Sequence, residues 1–282
     1  MCTVNDTGRQ VALKFLHNIS EDTLRRFNRE GRILYENLDN KFVVDLLDYN
    51  LNVSPPFLVL EYCKHGSLAG WVTQRRSWET VALALSHATQ GLAGIHHVRG
   101  FHRDIKPDNL LLTTDQEDKL IVKLSDFGLA RTPFSVTGSM TASPAGTEGY
   151  IAPEIRAGGR FTPAADIYSL GITGIELLTG SKASDQLLFC GAPQSFRSNL
   201  QLMAATDPLR RPNIQHISQS LVELLENANL ETIGADMVRR KGISPGWVLG
   251  GLALLALLAG GKDNEWDRSV RRYRGPDGRF TS

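Results

Sequence analysis

The stretch His102-Arg103-Asp104-Ile105-Lys106-Pro107-Asp108-Asn109 constrains this chain more than any other. It crowds ionisable and amide side chains around a proline, so it suits neither a core helix nor a strand interior. It reads as a loop that presents polar groups. Three further short runs accompany it in a fixed order. Val11-Ala12-Leu13-Lys14 lies upstream, Asp126-Phe127-Gly128 and Ala152-Pro153-Glu154 downstream. Singly, Asp104 or Asp126 would pass for a turn residue, Lys14 for a solvated strand lysine and Glu30 for a solvated helix carboxylate. The conjunction is what carries information.

Together these runs resemble the signature set of the eukaryotic-like (Hanks-type) Ser/Thr protein kinases, of the bacterial membrane-associated type. The resemblance covers residues 1–228 and implies an α+β, two-lobed kinase fold, with a small lobe over 1–62 and a large lobe over 63–228. It implies transfer of the ATP γ-phosphate to Ser or Thr of protein substrates, with Mg²⁺ as the metal. Such chemistry asks a protein to position reactants and neutralise phosphate charge more than to form bonds. By the resemblance, Asp104 takes or orients the substrate hydroxyl proton and Lys106 reaches the transferring phosphate. Asn109 and Asp126 supply hard oxygen ligands to Mg²⁺. Lys14 holds the α- and β-phosphates, with Glu30 as its carboxylate partner. Ala12 and Leu111 sandwich adenine, Leu60 is the gatekeeper, and main-chain groups of Glu61 and Cys63 form the hinge. Leu34, Leu46, His102 and Phe127 form a hydrophobic column between lobes. Glu154 pairs with Arg211, and Asp166 anchors the catalytic loop. Lys106 and Gly146-Thr147 fit Ser/Thr rather than Tyr kinases.

The secondary-structure reading agrees with two lobes. Val11 to Leu16 predicts a strand. Ser20 is an N-cap for a helix to about Glu36, with Glu21 and Asp22 in its first turn. Phe42 to Leu47 and Phe57 to Tyr62 read as strands, Trp78 to His97 as a core helix. Strands follow at Leu110 to Leu112 and Leu120 to Leu124. Helices are expected over Pro163 to Thr179, Phe196 to Ala205 and Ile214 to Asn227.

Lys+Arg number 31 against 30 Asp+Glu. That balance gives no support for a nucleic-acid partner held by bulk charge. Cys2, Cys63 and Cys190 are too scattered for a disulfide framework or a zinc site, which suits a cytoplasmic kinase domain. No apolar leader opens the chain.

The family pattern also includes a Gly-rich loop before the lysine strand. Ahead of Lys14 the only glycine is Gly8. The expectation is a truncated small-lobe sheet, with a catalytically impaired pseudokinase or scaffold as the alternative. The stretch from Gly180 to Asp207 is shorter than in the family and alters the surface used for docking. After a linker over 229–242, Gly242 to Gly261 carries no charge. At ~1.5 Å per residue it would span about 30 Å, so 243–261 is expected to be a membrane helix, with a short polar tail over 262–282. A packed terminal helix is the competing reading. Finally, by the resemblance, Arg103 before Asp104 implies an activation loop ordered by phosphorylation, with self-association expected for autophosphorylation. The loop holds Thr132, Ser135, Thr137, Ser139, Thr141 and Ser143; Thr141 is favoured by position, then Ser139.

Overall fold

A computed structural model describes residues 2–3, 10–74, 76–115, 120–127, 146–226 and 228. The small lobe is a four-stranded antiparallel sheet and one helix. Its strands are β1 (Cys2–Thr3), β2 (Gln10–Phe15), β3 (Leu46–Asn50) and β4 (Phe57–Glu61), in the order β1-β2-β4-β3. The short β1 pairs Cys2 with Val11 and Thr3 with Gln10. In β2, Ala12 lies opposite Leu60 and Lys14 opposite Leu58, so Ala12, Lys14 and Leu60 share one face.

Helix α1 (Glu21–Glu36) starts where its sequence says it should. The Ser20 hydroxyl accepts from Thr23 N–H, and Thr23 returns the bond to Ser20 N–H. Phe27, Glu30, Gly31 and Leu34 recur at helical spacing and all are buried. A carboxylate on that apolar face needs a partner.

The expected strand over Phe42 to Leu47 is displaced to Leu46–Asn50. Phe42 and Val44 instead bond across the lobes. Leu124 N–H donates to the Phe42 carbonyl at 2.8 Å and Val44 N–H to the Leu124 carbonyl at 2.9 Å. The Phe42 ring stacks on His87 with centroids 4.9 Å apart. Residues committed to that seam cannot also pair within the small sheet.

The large lobe is built on α3 (Trp78–His97), preceded by the short helix α2 (Ala69–Val72). Helix α3 is apolar around most of its circumference, and it packs on β6 (Leu120–Leu124), α5 (Pro163–Thr179) and α7 (Ile214–Glu226). Gly91 is the point of closest approach: a Cβ there would lie 2.7 Å from the Phe42 carbonyl oxygen. His87 of α3 accepts a hydrogen bond from Val122 N–H at 3.2 Å through Nδ1. Burial pushes its pKa down to about 3, which keeps this acceptor neutral. Strand β5 (Leu110–Thr114) pairs with β6, the short helix α4 is Pro153–Arg156, and α6 is Gln194–Met203. One core runs through both lobes, from Phe27 and Leu34 to Leu221 and Leu225. No helix among the described residues is long and apolar enough to cross a membrane. The segment 243–261 lies outside them.

Candidate active site

Three elements converge on Lys14. Strand β2 carries it, α1 brings Glu30, and the segment after β6 brings Asp126. Lys14 Nζ donates to Glu30 Oε1 at 2.6 Å and to Asp126 Oδ1 at 2.9 Å. The other carboxylates that could have served pair locally, Glu21 with Arg25 and Glu36 with Arg32. Burial pulls the Lys14 pKa down, but the Glu30 and Asp126 carboxylates outweigh it and hold the ammonium above the ordinary lysine value. Burial raises Glu30, with Lys14 opposing. These shifts pull opposite ways on the pair's ionisation. The direct 2.6 Å ammonium contact favours the charged pair, because a carboxyl at 2% side-chain exposure has no better partner than that cation.

The loop at Asp104 is held from below by Asp166 of α5. Asp166 is fully buried and accepts from His102 N–H at 3.0 Å, Arg103 N–H at 2.8 Å and His96 Nε2–H at 3.0 Å. This grip holds Arg103 at φ 72, a left-handed conformation that a side chain disfavours. Asp126 is similarly left-handed at φ 60. His102 Nε2 faces the Ser125 carbonyl at 3.1 Å and so must donate; its Nδ1 then accepts from Asp104 N–H at 3.4 Å. Burial lowers the His102 pKa, consistent with that neutral tautomer. Its ring sits 4.8 Å from that of Phe127, and Leu34 and Leu46 are buried in the core that Phe127 shares.

Four donors converge on the Asp104 carboxylate. Thr147 N–H and Oγ1 reach Oδ1 at 3.0 and 2.7 Å. Asn109 Nδ2 and Lys106 Nζ reach Oδ2 at 3.0 and 2.9 Å. Lys106 also donates to Thr147 Oγ1 at 2.6 Å. Burial would raise the Asp104 pKa, but these donors more than offset it and hold the carboxyl below the ordinary aspartate value. Asp104 is therefore an ionised acceptor at neutral pH. Asn109 Nδ2 donates to both the carbonyl and the carboxylate of Asp104, which turns the amide oxygen outward as an acceptor. Ser125 N–H and Oγ both donate to the Asn109 carbonyl, which ties Asn109 to the residue preceding Asp126. The backbone of Asn109 and the segment that carries Asp126 are thus joined through Ser125. Among the described residues no group of three or more His, Cys, Asp or Glu is placed to hold a metal ion.

Ala12, on β2, and Leu111, on β5, are both part-exposed. The Glu61 N–H is taken by the Asp45 carbonyl, and the Cys63 carbonyl accepts from Gly66 N–H. The Cys63 thiol is pushed up to about 12 by burial and stays protonated, so only its backbone is available for recognition. The Glu61 side chain has a role the sequence reading missed: it pairs with buried Lys123 of β6. A single charge inside the apolar run Leu120–Leu124 was the available signal. His96, the third group on Asp166, had none, since a histidine near a helix end reads as solvated. Glu154 and Arg211 form the expected pair, with two contacts at 2.6 and 2.8 Å. The Arg103 guanidinium stacks on the Phe161 ring at 4.8 Å. Ser139 and Thr141 lie outside the described residues.

A family model described as protein kinase domain matches residues 1–231. The chain is 39% identical over 189 residues to the Ser/Thr-protein kinase drp72 of Corynebacterium efficiens, covering 64% of this chain and 35% of that one. It is 37% identical to the Ser/Thr-protein kinase PknA of Corynebacterium glutamicum, over 64% of this chain and 39% of the relative. It is 35% identical to the Ser/Thr-protein kinase PknL of Mycobacterium tuberculosis, over 61% and 43%. The chain therefore matches less than half the length of these relatives.

Proposed function

Because the chain belongs to the protein kinase domain family, we propose that it transfers the γ-phosphate of ATP to Ser or Thr hydroxyls of proteins. The observation that carries this reading is the Asp104 carboxylate, ionised and held by Thr147, Lys106 and Asn109. An acceptor fixed in that way can orient a substrate hydroxyl and take its proton as the oxygen attacks phosphorus. Lys106, at the same carboxylate, would stabilise charge on the transferring group. Lys14, kept cationic by Glu30 and Asp126, holds phosphate oxygens. Ala12 and Leu111 flank the adenine, and the backbone at Glu61 and Cys63 recognises its edge. Asn109 and Asp126 would hold Mg²⁺, which when bound neutralises phosphate charge.

Incubation of the full chain with Mg²⁺ and radiolabelled ATP tests the reading. Phosphate is expected on Ser and Thr, of an added protein and of the chain itself. In the chain it should fall at Thr141 or Ser139, where a phosphate adds roughly two negative charges that Arg103 can bind. Label on tyrosine, or no transfer at all, would overturn the substrate class or the activity respectively. Self-phosphorylation whose rate rises with protein concentration would support self-association.

The same reading places the kinase domain in the cytoplasm, anchored through 243–261. The support is the uncharged, leucine-rich sequence there. Deleting 243–261 is expected to move the protein from the membrane pellet to the supernatant on ultracentrifugation. An intact chain already in the supernatant without detergent would overturn the anchor.

A further inference from the structure

A lysine is buried where the two lobes meet. Lys123 of β6 lies opposite Leu111 of β5, so the two side chains share one face of that strand pair. Leu111 is part-exposed, whereas the Lys123 side chain is only 6% exposed. Its Nζ donates to Glu61 Oε2 and lies 3.9 Å from Asp45 Oδ1. A buried ammonium is costly unless carboxylates meet it, and here two do. Both belong to the small lobe, while Lys123 belongs to the large one. The ion cluster therefore crosses between lobes beside the main-chain bonds of Phe42 and Val44 to Leu124.

The cluster is wired to the backbone that ends β4. Glu61 N–H donates to the Asp45 carbonyl at 2.9 Å, and Asp45 N–H to Glu61 Oε2 at 3.4 Å. Within β4, Glu61 follows Leu60 and so turns its side chain to the other face from Ala12 and Lys14. Lys123 thus grips Glu61 from behind the cleft. Burial pushes the Cys63 thiol up, and Glu61, Lys123 and Asp45 are the charges that act on it, so the field of the cluster reaches Cys63. The Glu61 N–H and the Cys63 carbonyl are already bonded. An adenine edge would therefore meet the Glu61 carbonyl as acceptor and the Cys63 N–H as donor. Guanine carries an oxygen acceptor where adenine carries its amino donor. Rejecting guanine depends on a carbonyl that cannot tilt away from that oxygen.

We propose that Lys123 is a positioning residue for the nucleotide base: its link to Glu61 and Asp45 fixes the backbone at Glu61, so that this chain selects adenine over guanine nucleotides. The proposal rests on the protein-kinase reading. Without the ammonium, two carboxylates are left facing each other in a poorly hydrated place, and the end of β4 must shift to separate them.

Direct binding tests it without turnover. ADP and GDP are titrated by calorimetry, with Mg²⁺, against the full chain and its Lys123→Met, Lys123→Arg and Glu61→Gln variants. The native chain should prefer ADP. In Lys123→Met the ADP-to-GDP affinity ratio should fall about tenfold, the worth of one misplaced hydrogen bond, chiefly through weaker ADP binding. Lys123→Arg, which keeps the cation, should hold the native ratio. Glu61→Gln keeps the contact without the charge and should lower the ratio too; it decides the matter if Lys123→Met gives no cooperative melting transition. A folded variant that loses ADP and GDP affinity by the same factor, or loses neither, would overturn the proposal, because a purely structural role leaves the ratio alone. Phosphate transfer is read separately. Its absence alongside a shifted ratio would sink the kinase activity and leave the positioning role standing. Transfer with an unshifted ratio would do the reverse.

Discussion

Asp104→Asn should reduce phosphate transfer by about 10²- to 10⁴-fold, the usual worth of a positioned base, with nucleotide affinity almost unchanged. The substitution keeps the side chain's size and one oxygen. That oxygen can still accept from Thr147, which donates to Asp104 Oδ1 from both its N–H and its hydroxyl. The new amide NH₂ then faces Lys106 and Asn109, which are donors. What disappears is the ionised acceptor needed as the substrate hydroxyl loses its proton. The loss should appear in kcat, with KM for ATP little moved, because the interaction matters in the transition state. Steady-state kinetics with nucleotide binding by calorimetry separate the cases. A variant that turns over like the native chain would remove Asp104 from the chemistry. One that loses nucleotide binding in step with kcat would give it a structural role instead.

Arg211→Ala should destabilise the fold by about 3–5 kcal/mol, as expected when a fully buried guanidinium is removed from a half-buried ion pair and from three carbonyls. The Arg211 guanidinium is fully buried, and all of its nitrogens are engaged. Beyond the two bonds to Glu154, Nε donates to the Ala205 carbonyl at 2.8 Å, Nη1 to Ala164 at 2.8 Å and Nη2 to Thr206 at 3.2 Å. Truncation strands a carboxylate and three carbonyls at once. For a domain of this size that corresponds to a melting temperature about 10 °C lower, measurable by calorimetry. The Arg211→Met/Glu154→Gln pair should recover part of the loss, since no uncompensated charge remains. A shift under about 2 °C in Arg211→Ala would show that water satisfies the stranded groups. The acid limb gives a second check. Burial raises the Glu154 pKa, but the hydrogen bonds from Arg211 outweigh it and depress the carboxyl below its reference value of 4.5. A depressed carboxylate contributes stability above its unfolded pKa and loses it as pH falls through the folded value. The gap between native and Arg211→Ala melting temperatures should therefore narrow below about pH 4.

Much of the site could be read along the chain because its chemistry is local in sequence. The loop from His102 to Asn109 carries Asp104, Lys106 and Asn109 close together, and Asp126 follows one strand pair later. Helix α1 was legible from Ser20 and its acidic first turn, and α3 and α5 from long apolar runs bounded by Ser77 and by Pro163. The strand expected at Phe42 failed for a physical reason. An apolar β-prone run does not say which sheet or seam it joins, and here Leu124 of the other lobe took its hydrogen bonds. Lys123 and Glu61 went unread as a pair because they lie on different strands and each has an ordinary reading alone.

Residue type and order by themselves determined the family, the identity of the ionisable groups and the main helices, since motif spacing and helical periodicity are properties of neighbouring residues. Tertiary structure alone decided which carboxylate serves Lys14. Glu21, Glu30 and Glu36 are chemically alike, and only the buried face of α1, packed beside β2, brings Glu30 within 2.6 Å. It likewise decided the charge states. His87 and His102 are kept neutral by burial, and Asp104 is kept ionised by local donors, Lys106 and Asn109, together with Thr147 from more than forty residues away. Lys182 reaches Tyr150 only because a left-handed Gly180 turns the chain back toward it. A pKa or an ion pair depends on distance and dielectric, and those exist only once the chain has closed on itself.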